Sequence, residues 1–277
     1  MTSEQHSARA EAFLALHRPG EPLIMPNPWD PGSARLLASL GFAALATTSS
    51  GFAATLGRLD GSVTREEALA HAAAVVAAVA VPVSADLESG FGAEPSTVAD
   101  TADGARAAGV AGFSIEDSTG DPAAPIYDLL PAAERVAAAA QRAHGGDGPR
   151  LVLTARAENH LHGRDDLADT IARLQAYEAA GADVLFAPGL TAAQDIAAVI
   201  AAVAAPVSVL LLPGSPSIPE LAQLGVSRVS TGGALAFAAL GAAVEAAREL
   251  RDHGTAGYAA RSAAGAAAAR AAFGQPG

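Results

Sequence analysis

Ser84-Ala85-Asp86-Leu87-Glu88-Ser89-Gly90-Phe91-Gly92 follows a short apolar run, ends in a glycine-rich turn and places two carboxylates two residues apart. Residues i and i+2 of a β-strand point to the same side, so we expect Asp86 and Glu88 to project together where a strand ends. Two acids on one face repel each other unless a cation or a shared proton relieves them. The stretch therefore predicts a strand with an acidic site at its carboxyl end.

A second acidic pair, Glu116-Asp117, ends the next apolar run at 110–115. Carboxylate oxygens suit Mg²⁺ or Mn²⁺ better than zinc, and Mg²⁺ keeps several water ligands, so one directly bound carboxylate is enough. We predict a site for Mg²⁺ or Mn²⁺ formed by Asp86, Glu88 and Glu116. The alternative is that these acids cap the helices that follow the two strands.

Short β-type runs alternate with alanine- and leucine-rich helical stretches along the whole chain. The predicted strands are residues 23–25, 43–47, 83–85, 112–115, 151–155, 184–186, 207–211 and 228–230. Gly109, Gly181 and Gly225 each stand where a helix C-terminus leads into the next strand. Eight strand–helix units predict an α/β fold of the (β/α)₈ TIM-barrel type. The competing open sheet usually has a glycine-rich phosphate loop after its first strand, and residues 25–30 lack one.

The chain is 277 residues long, and 51% of it is hydrophobic, which suits a single barrel domain over residues 1–277. Residues 1–20 are interpreted as an N-terminal helix and residues 252–277 as a C-terminal helical tail. A formal net charge of −12 argues against nucleic acid and against an anionic membrane as partners. A small anionic substrate remains compatible with it, because arginines or a metal can reverse the field inside one pocket.

Two residue types are missing from the chain, cysteine and lysine. Thiolate nucleophiles, disulfides and zinc–sulfur sites are therefore excluded, as are Schiff bases on lysine. The N-terminus shows no basic segment followed by an apolar core, and the apolar runs are too short for a membrane span. These features predict a cytoplasmic location.

Further polar residues fall at the carboxyl ends of the predicted strands, where active sites of β/α barrels are built. Arg156 ends the fifth strand and could clamp a substrate carboxylate, or form an ion pair with Glu116 or Glu158. The turn Thr48-Ser49-Ser50-Gly51 offers hydroxyl and N–H groups to a carboxylate or phosphonate. The remaining candidates follow other strands. Trp29 and Asp30 after strand one are candidate substrate-binding residues, although Trp29 could simply pack at the rim. Asp60 is a candidate outer metal ligand or a turn residue, and His160 is a candidate proton shuttle or an exposed loop residue.

Together these segments resemble the isocitrate lyase / phosphoenolpyruvate mutase superfamily, in its short 2-methylisocitrate lyase-like branch. The matching segments occur in family order and include Asn27-Pro28-Trp29-Asp30, Thr47-Thr48-Ser49-Ser50-Gly51, Leu56-Gly57-Arg58-Leu59-Asp60-Gly61, residues 85–92, residues 109–117 and Ala155-Arg156. The resemblance implies a barrel whose last helix is often swapped between the subunits of a dimer or tetramer. It also implies Mg²⁺ held through Asp86, Glu88 and Glu116, with Asp60 in the outer shell.

By the same resemblance, Ser49, Ser50, Gly51 and Arg156 hold the carboxylate of a 2-oxo acid. The family's shared chemistry makes or breaks a C–C or P–C bond next to an enolate, whose charge the metal and the arginine stabilise. The chain departs from the lyases in residues 118–127, which lack the Lys-x-Cys-Gly-His loop that supplies their acid–base cysteine. It also lacks the gating loop of the phosphonopyruvate enzymes.

We therefore predict a Mg²⁺-dependent carbon–carbon lyase that cleaves or decarboxylates a small 2-oxo or 2-hydroxy dicarboxylate through an enolate. Arg156 and Glu116 are the predicted catalytic residues, with Tyr127 and His160 as speculative proton donors. A phosphonopyruvate mutase or hydrolase is the enzymatic alternative, and a 2-oxo acid-binding protein without turnover is the alternative from another class. The predicted assembly is a homo-oligomer, a dimer or a tetramer.

Overall fold

The computed structural model describes residues 3–145 and 148–274. Eight parallel strands line the inside of the fold: β1 (Leu23–Met25), β2 (Leu45–Ala46), β3 (Val83–Asp86), β4 (Gly112–Glu116), β5 (Val152–Arg156), β6 (Val184–Phe186), β7 (Val207–Leu210) and β8 (Arg228–Ser230). Their order around the sheet is β1-β8-β7-β6-β5-β4-β3-β2. The N–H of Ala46 donates to the carbonyl of Pro26 at 3.2 Å, which brings the two ends of the sheet together. The predicted (β/α)₈ barrel is confirmed.

Eleven α-helices surround the strands in the described residues. They are α1 (Ser3–Ala15), α2 (Pro31–Ser39), α3 (Ser49–Thr55), α4 (Arg65–Ala78), α5 (Pro95–Ala108), α6 (Leu129–His144), α7 (Leu167–Ala179), α8 (Ala193–Ala202), α9 (Ile218–Leu224), α10 (Ala234–His253) and α11 (Ala259–Phe273). A single 3₁₀ turn (Asn159–His162) follows β5. No helix of the described residues combines the length and hydropathy that crossing a bilayer requires.

Apolar packing closes the amino-terminal end of the barrel. Phe13 of α1 is fully buried and packs among Leu23, Met25, Val152 and Val184, which belong to the three strands β1, β5 and β6. A larger buried cluster fills the layer between the strands and the outer helices. Because one end of the barrel is plugged, the polar residues gather at the opposite, carboxyl-terminal end.

Glycine ends the helices where the sequence predicts it. Gly109 and Gly225 adopt left-handed backbone with φ of 80° and 92°, and Gly181 follows the last turn of α7 with φ of 103°. Only glycine adopts this conformation without steric cost, so the chain can turn directly into the next strand.

The boundaries of β3, β4, β5 and β7 differ from the predicted ones by one residue, and larger differences occur at β2, at α1 and at residues 48–51. Strand β2 spans two residues rather than five, and α1 ends at Ala15 rather than at residue 20. The turn predicted at residues 48–51 is the start of α3, because Thr48 caps that helix by accepting a hydrogen bond from the N–H of Gly51 at 3.4 Å. The tail predicted at 252–277 contains the end of α10 and all of α11, and residues 275–277 lie outside the described residues.

Candidate active site

Arg156, the last residue of β5, lies at the centre of an acidic cluster at the carboxyl end of the barrel. Its Nη1 is 3.1 Å from Asp86 Oδ1, and its Nη2 is 3.2 Å from Glu116 Oε2 and 2.8 Å from Glu158 Oε1. The side chains of Arg156, Asp86 and Glu116 are each only 15% exposed. The guanidinium therefore has three carboxylate partners, and both ion pairs considered from the sequence are present.

The acids around Arg156 carry more negative charge than the guanidinium can balance. Burial raises the pKa of Glu116 well above its ordinary value, and it also raises the pKa of Glu158. Burial, together with the charges of Asp86 and Asp60, raises the pKa of Glu88 to about 7. Without a further cation, the cluster relieves its repulsion by keeping protons, as crowded carboxylates do.

Asp86 is held by two hydrogen bonds to the segment that follows β2. Its Oδ2 accepts a hydrogen bond from the N–H of Ser49 at 3.0 Å, and its own N–H donates to Thr47 Oγ1 at 2.8 Å. Ser49 is the first residue of α3, so the positive end of a helix faces the carboxylate. These contacts fix the Asp86 side chain at the mouth of the barrel without neutralising it.

Glu88 lies at the cluster because of the conformation of the loop after β3, and not because of the side-chain alternation of a strand. Strand β3 ends at Asp86, and Glu88 has left-handed backbone with a φ of 48°. Phe91 in the same loop also has a positive φ, of 64°. The buried guanidinium of Arg135 donates to the carbonyls of Ser89, Gly92 and Ala93 and so holds the loop in this shape. Strained backbone of this kind persists where the surroundings over-determine it, commonly at functional sites.

The acidic cluster is chemically suited to a hard divalent cation. The formal charge of the cluster is −4 when every group is ionised, because one guanidinium, that of Arg156, faces five carboxylates: Asp60, Asp86, Glu88, Glu116 and Glu158. Within the described residues, no three His, Asp or Glu side chains converge as a ready set of direct ligands. The set fits Mg²⁺ or Mn²⁺ held by one or two carboxylates with water in the other positions, which is the usual mode for Mg²⁺.

A buried network behind the cluster fixes the ends of β4 and β5. Asp117 Oδ1 accepts from the N–H of Glu158 at 2.8 Å, and its Oδ2 accepts from Tyr177 Oη at 2.6 Å and from Arg173 Nη1 at 3.0 Å. Arg173 Nη1 also donates to the carbonyl of Tyr127 at 2.7 Å. Asp117 is thus a positioning residue for Glu158, and the sequence suggested it only as a member of the Glu116-Asp117 pair.

Residues 118–126 form a short hairpin that borders the cluster. Ser118 pairs with Ile126, and the N–H of Tyr127 donates to the carbonyl of Asp117 at 2.8 Å. Ser118, Thr119 and Tyr127 line an outer cavity together with Glu88 and Glu116. The Tyr127 ring lies 4.3 Å below the guanidinium carbon of Arg135, which fixes its orientation in the cavity wall.

The structure brings some of the remaining predicted residues to the site. Ser49, Asp60 and Arg156 line both the outer cavity and a deep cavity that continues into the barrel. Ser50 lines the deep cavity. Desolvation and the charge of Asp86 raise the pKa of Asp60, which lies on an exposed loop at the rim.

Four predicted residues are engaged elsewhere. Asp30 caps α2 by accepting a hydrogen bond from the N–H of Ser33 at 2.6 Å, and Trp29 packs beside Gly51. Gly51 itself is buried in that contact rather than in the cavity lining. The His160 ring lies within 3.1 Å of Thr170 Oγ1 on α7, and it lines neither cavity.

Gly51→Ala is expected to destabilise the protein, because a Cβ there would lie 3.1 Å from Trp29 Cβ and 3.2 Å from Ala236 Cβ. Overpacking of this kind costs about 1–3 kcal/mol in the free energy of unfolding, measured by urea denaturation. Gly265→Ala is the matched control, since it is also helical but a Cβ there meets no atom within 4 Å. Equal effects of the two substitutions would contradict the packing described for Gly51.

The raised pKa values predict that stability falls as pH increases. Glu88 titrates near pH 4.5 when unfolded and near 7 when folded, so between these values the folded state binds more protons. The melting temperature in EDTA should therefore decrease across this window. Added Mg²⁺ should raise the melting temperature more at about pH 8 than at about pH 5.5, because it replaces those protons. A Mg²⁺ shift of equal size at both pH values would count against the assignment.

Comparison with known proteins identifies the family of the chain. A family model described as phosphoenolpyruvate phosphomutase matches residues 13–251. The chain belongs to the phosphoenolpyruvate phosphomutase family. A Burkholderia cenocepacia protein for which a lyase or mutase activity has been suggested is 57% identical, with a TM-score of 0.87 and 91% of each chain covered.

Two other members of the family have named activities. An oxaloacetate decarboxylase of Paraburkholderia xenovorans is 34% identical over 75% of this chain and 69% of its own length. The structure of a 2,3-dimethylmalate lyase is 29% identical, with a TM-score of 0.80, and the match covers 93% of this chain and 90% of that one. The predicted superfamily and the predicted class, a carbon–carbon lyase, are confirmed.

Proposed function

We propose that the protein is a Mg²⁺-dependent lyase that decarboxylates or cleaves a small 2-oxo or 2-hydroxy dicarboxylate through an enolate. The observation that carries the proposal is the convergence of Asp86, Glu116 and Glu158 on Arg156 at the mouth of the barrel, with Glu88 beside them. The oxaloacetate decarboxylase and the dimethylmalate lyase among its relatives support a dicarboxylate substrate. Mn²⁺ is the alternative cation.

Each residue of the site has a proposed task in this reaction. A bound divalent cation would polarise the 2-oxo group and stabilise negative charge as it develops there. Arg156, fixed by three carboxylates, presents its positive charge to the same oxygen without having to reorganise. Ser49 and Ser50 line the cavity next to Asp86 and would receive the carboxylate adjoining the 2-oxo group.

Protonation of the enolate carbon needs a donor, and the usual cysteine is missing. Tyr127 lines the outer cavity beside Glu116, so its hydroxyl is the donor that we favour over His160, which bonds to Thr170. Hence the proton can come from the wall of the site rather than from bulk water.

The test is pyruvate release from a panel of 2-oxo and 2-hydroxy dicarboxylates, with Mg²⁺ and with EDTA. The proposal expects turnover of at least one of them, abolished by EDTA and restored by added Mg²⁺. Turnover of phosphonopyruvate alone would favour the mutase or hydrolase alternative. Binding of 2-oxo acids without turnover of any compound would favour a binding protein and refute the lyase.

We also propose that the protein is a homo-oligomer, because α10 has an uncovered apolar face. Ala236 is the one buried residue of this 20-residue helix, while Phe237, Leu240 and Val244 are each about half exposed. These three positions are spaced three and four apart and so share one face of the helix. A second copy of the chain is the occupant that we expect on this face.

Light scattering of the full-length protein tests the assembly. We expect the mass of a dimer or tetramer for the wild type and a lower mass for Leu240→Glu, which places a charge in the proposed interface. The exposed substitution Leu59→Glu, on the rim loop, is the control and should leave the mass unchanged. A monomeric wild type would rule out the homo-oligomer.

A further inference from the structure

Arg228, the first residue of β8, is a buried cation inside the barrel. Its side chain points inward, where Nε donates to Ser208 Oγ at 2.9 Å and Nη1 donates to Thr154 Oγ1 at 3.0 Å. The residue is 3% exposed. Such interior positions of β/α barrels are usually filled by branched apolar side chains that pack in layers.

No carboxylate of the described residues forms an ion pair with Arg228, and the hydrogen bonds it makes to protein leave Nη2 unused. The third neighbour is His17, with its Nε2 3.5 Å from Nη1 of Arg228. Burial and the charge of Arg228 lower the pKa of His17 to about 3, so the imidazole is neutral and acts as an acceptor. Burying a charge without a counter-ion is costly, and folded proteins rarely keep such a group unless it has a use.

The surroundings of Arg228 supply further donors. Arg228 lines the deep cavity, and so do Ser84, Ser114 and Ser230 from three different strands. None of these three hydroxyls has a hydrogen-bond partner in the part of the chain that the structure describes. A guanidinium with a free N–H group and several free hydroxyls is a set that binds a carboxylate.

The deep cavity connects Arg228 with the acidic cluster. Asp86, Ser49 and Arg156 line the same cavity nearer the mouth. Arg156 and Arg228 differ in one respect, since Arg156 is paired with three carboxylates and Arg228 with none. An anionic group bound in this cavity therefore gains most at the Arg228 end.

We propose that Arg228, with Ser84, Ser114 and Ser230, forms a carboxylate subsite that holds the second carboxylate of a dicarboxylate substrate. The inference rests on the proposed function for the placement of the 2-oxo end of that substrate at Arg156 and Asp86. A monocarboxylate reaches only one end of the cavity, whereas a dicarboxylate satisfies both.

Calorimetric titration of the full-length protein tests the subsite, with succinate and acetate as probes, in Mg²⁺ and in EDTA. We expect wild type to bind succinate at least tenfold more tightly than acetate. Arg228→Gln should weaken the binding of succinate tenfold or more and should bring the affinity for succinate to within about threefold of the affinity for acetate. Arg18→Gln, which removes the same charge on the exposed outer surface, is the matched control and should change neither affinity.

Unchanged succinate affinity in Arg228→Gln overturns the subsite, and so does a wild type that binds no succinate in either buffer. Acetate binding as tight as succinate would mean a site for a single small anion and also overturns it. Arg228→Gln has no ion pair to lose but gives up the hydrogen bonds to Ser208 and Thr154, so its melting temperature is measured beside its affinities. If Arg228→Gln fails to fold, Ser230→Ala is tested instead, and its affinity for succinate should be threefold or more lower than that of wild type.

The proposed subsite and the proposed lyase activity can each be refuted without refuting the other. Mg²⁺-dependent turnover of a dicarboxylate with the same KM in wild type and Arg228→Gln would refute the subsite and leave the lyase standing. Binding of succinate through Arg228 without turnover of any compound would refute the lyase and leave the subsite standing.

Discussion

Asp86→Asn is expected to lower kcat/KM by roughly three orders of magnitude with the compound that the substrate panel identifies. Asp86 faces Arg156, Ser49 and the deep cavity at once, so its carboxylate is the proposed direct ligand of the cation. Loss of a cation that stabilises developing charge removes several kcal/mol of transition-state stabilisation, and each 1.36 kcal/mol corresponds to about tenfold in rate. The measurement is initial-rate kinetics over a range of Mg²⁺ concentrations.

Asp100→Asn is the control for this substitution, because Asp100 is an exposed residue on the outer helix α5. It should leave kcat/KM within about twofold. High Mg²⁺ should not restore the Asp86→Asn enzyme to the wild-type rate. Activity close to wild type in Asp86→Asn would show that this carboxylate does not hold the cation.

Arg173→Gln is expected to reduce the free energy of unfolding by about 3–5 kcal/mol, the usual cost of removing one partner of a buried ion pair. The side chains of Arg173 and Asp117 are only 5% and 2% exposed, and their ion pair measures 3.0 Å. Without the guanidinium, the buried carboxyl group of Asp117 is left with Tyr177 and a backbone N–H as partners. Urea denaturation gives the free energy directly.

Arg18→Gln provides the comparison, since Arg18 and Glu21 form an ion pair whose side chains are 63% and 72% exposed. Exposed pairs contribute about 0–1 kcal/mol, so this substitution should have little effect on unfolding. A loss below about 1 kcal/mol in Arg173→Gln would mean that the network behind the cluster is not a stabilising one. A large loss of the free energy of unfolding with an unchanged kcat would mean that the network stabilises the fold but does not position Glu158 for the reaction.

Much of the fold and the acidic set could be predicted from the sequence, because both depend on local patterns. The alternation of apolar strands and helices predicts the barrel, and glycines such as Gly109 mark the helix ends through a conformation that other residues avoid. Asp86, Glu116 and Arg156 could be placed together because the carboxyl ends of parallel strands meet at one rim.

The remaining features depend on contacts between distant residues. Glu88 joins the cluster through left-handed backbone, which strand alternation does not describe. Arg228 lies in a three-residue strand buried on both faces, so the sequence does not show which of its side chains point inward. Gly51 looked like part of a carboxylate-binding turn, but its need for glycine comes from close packing against Trp29 and Ala236.

Counting the Mn²⁺ ions bound per chain, by equilibrium dialysis at about pH 8, is the most direct test of the claim that the acidic cluster holds a divalent cation. The account predicts one saturable site per chain in wild type, competed by Mg²⁺, weakened at about pH 5.5 and lost in Asp86→Asn. Absence of saturable binding in wild type, or one bound Mn²⁺ per chain retained in Asp86→Asn, would contradict it.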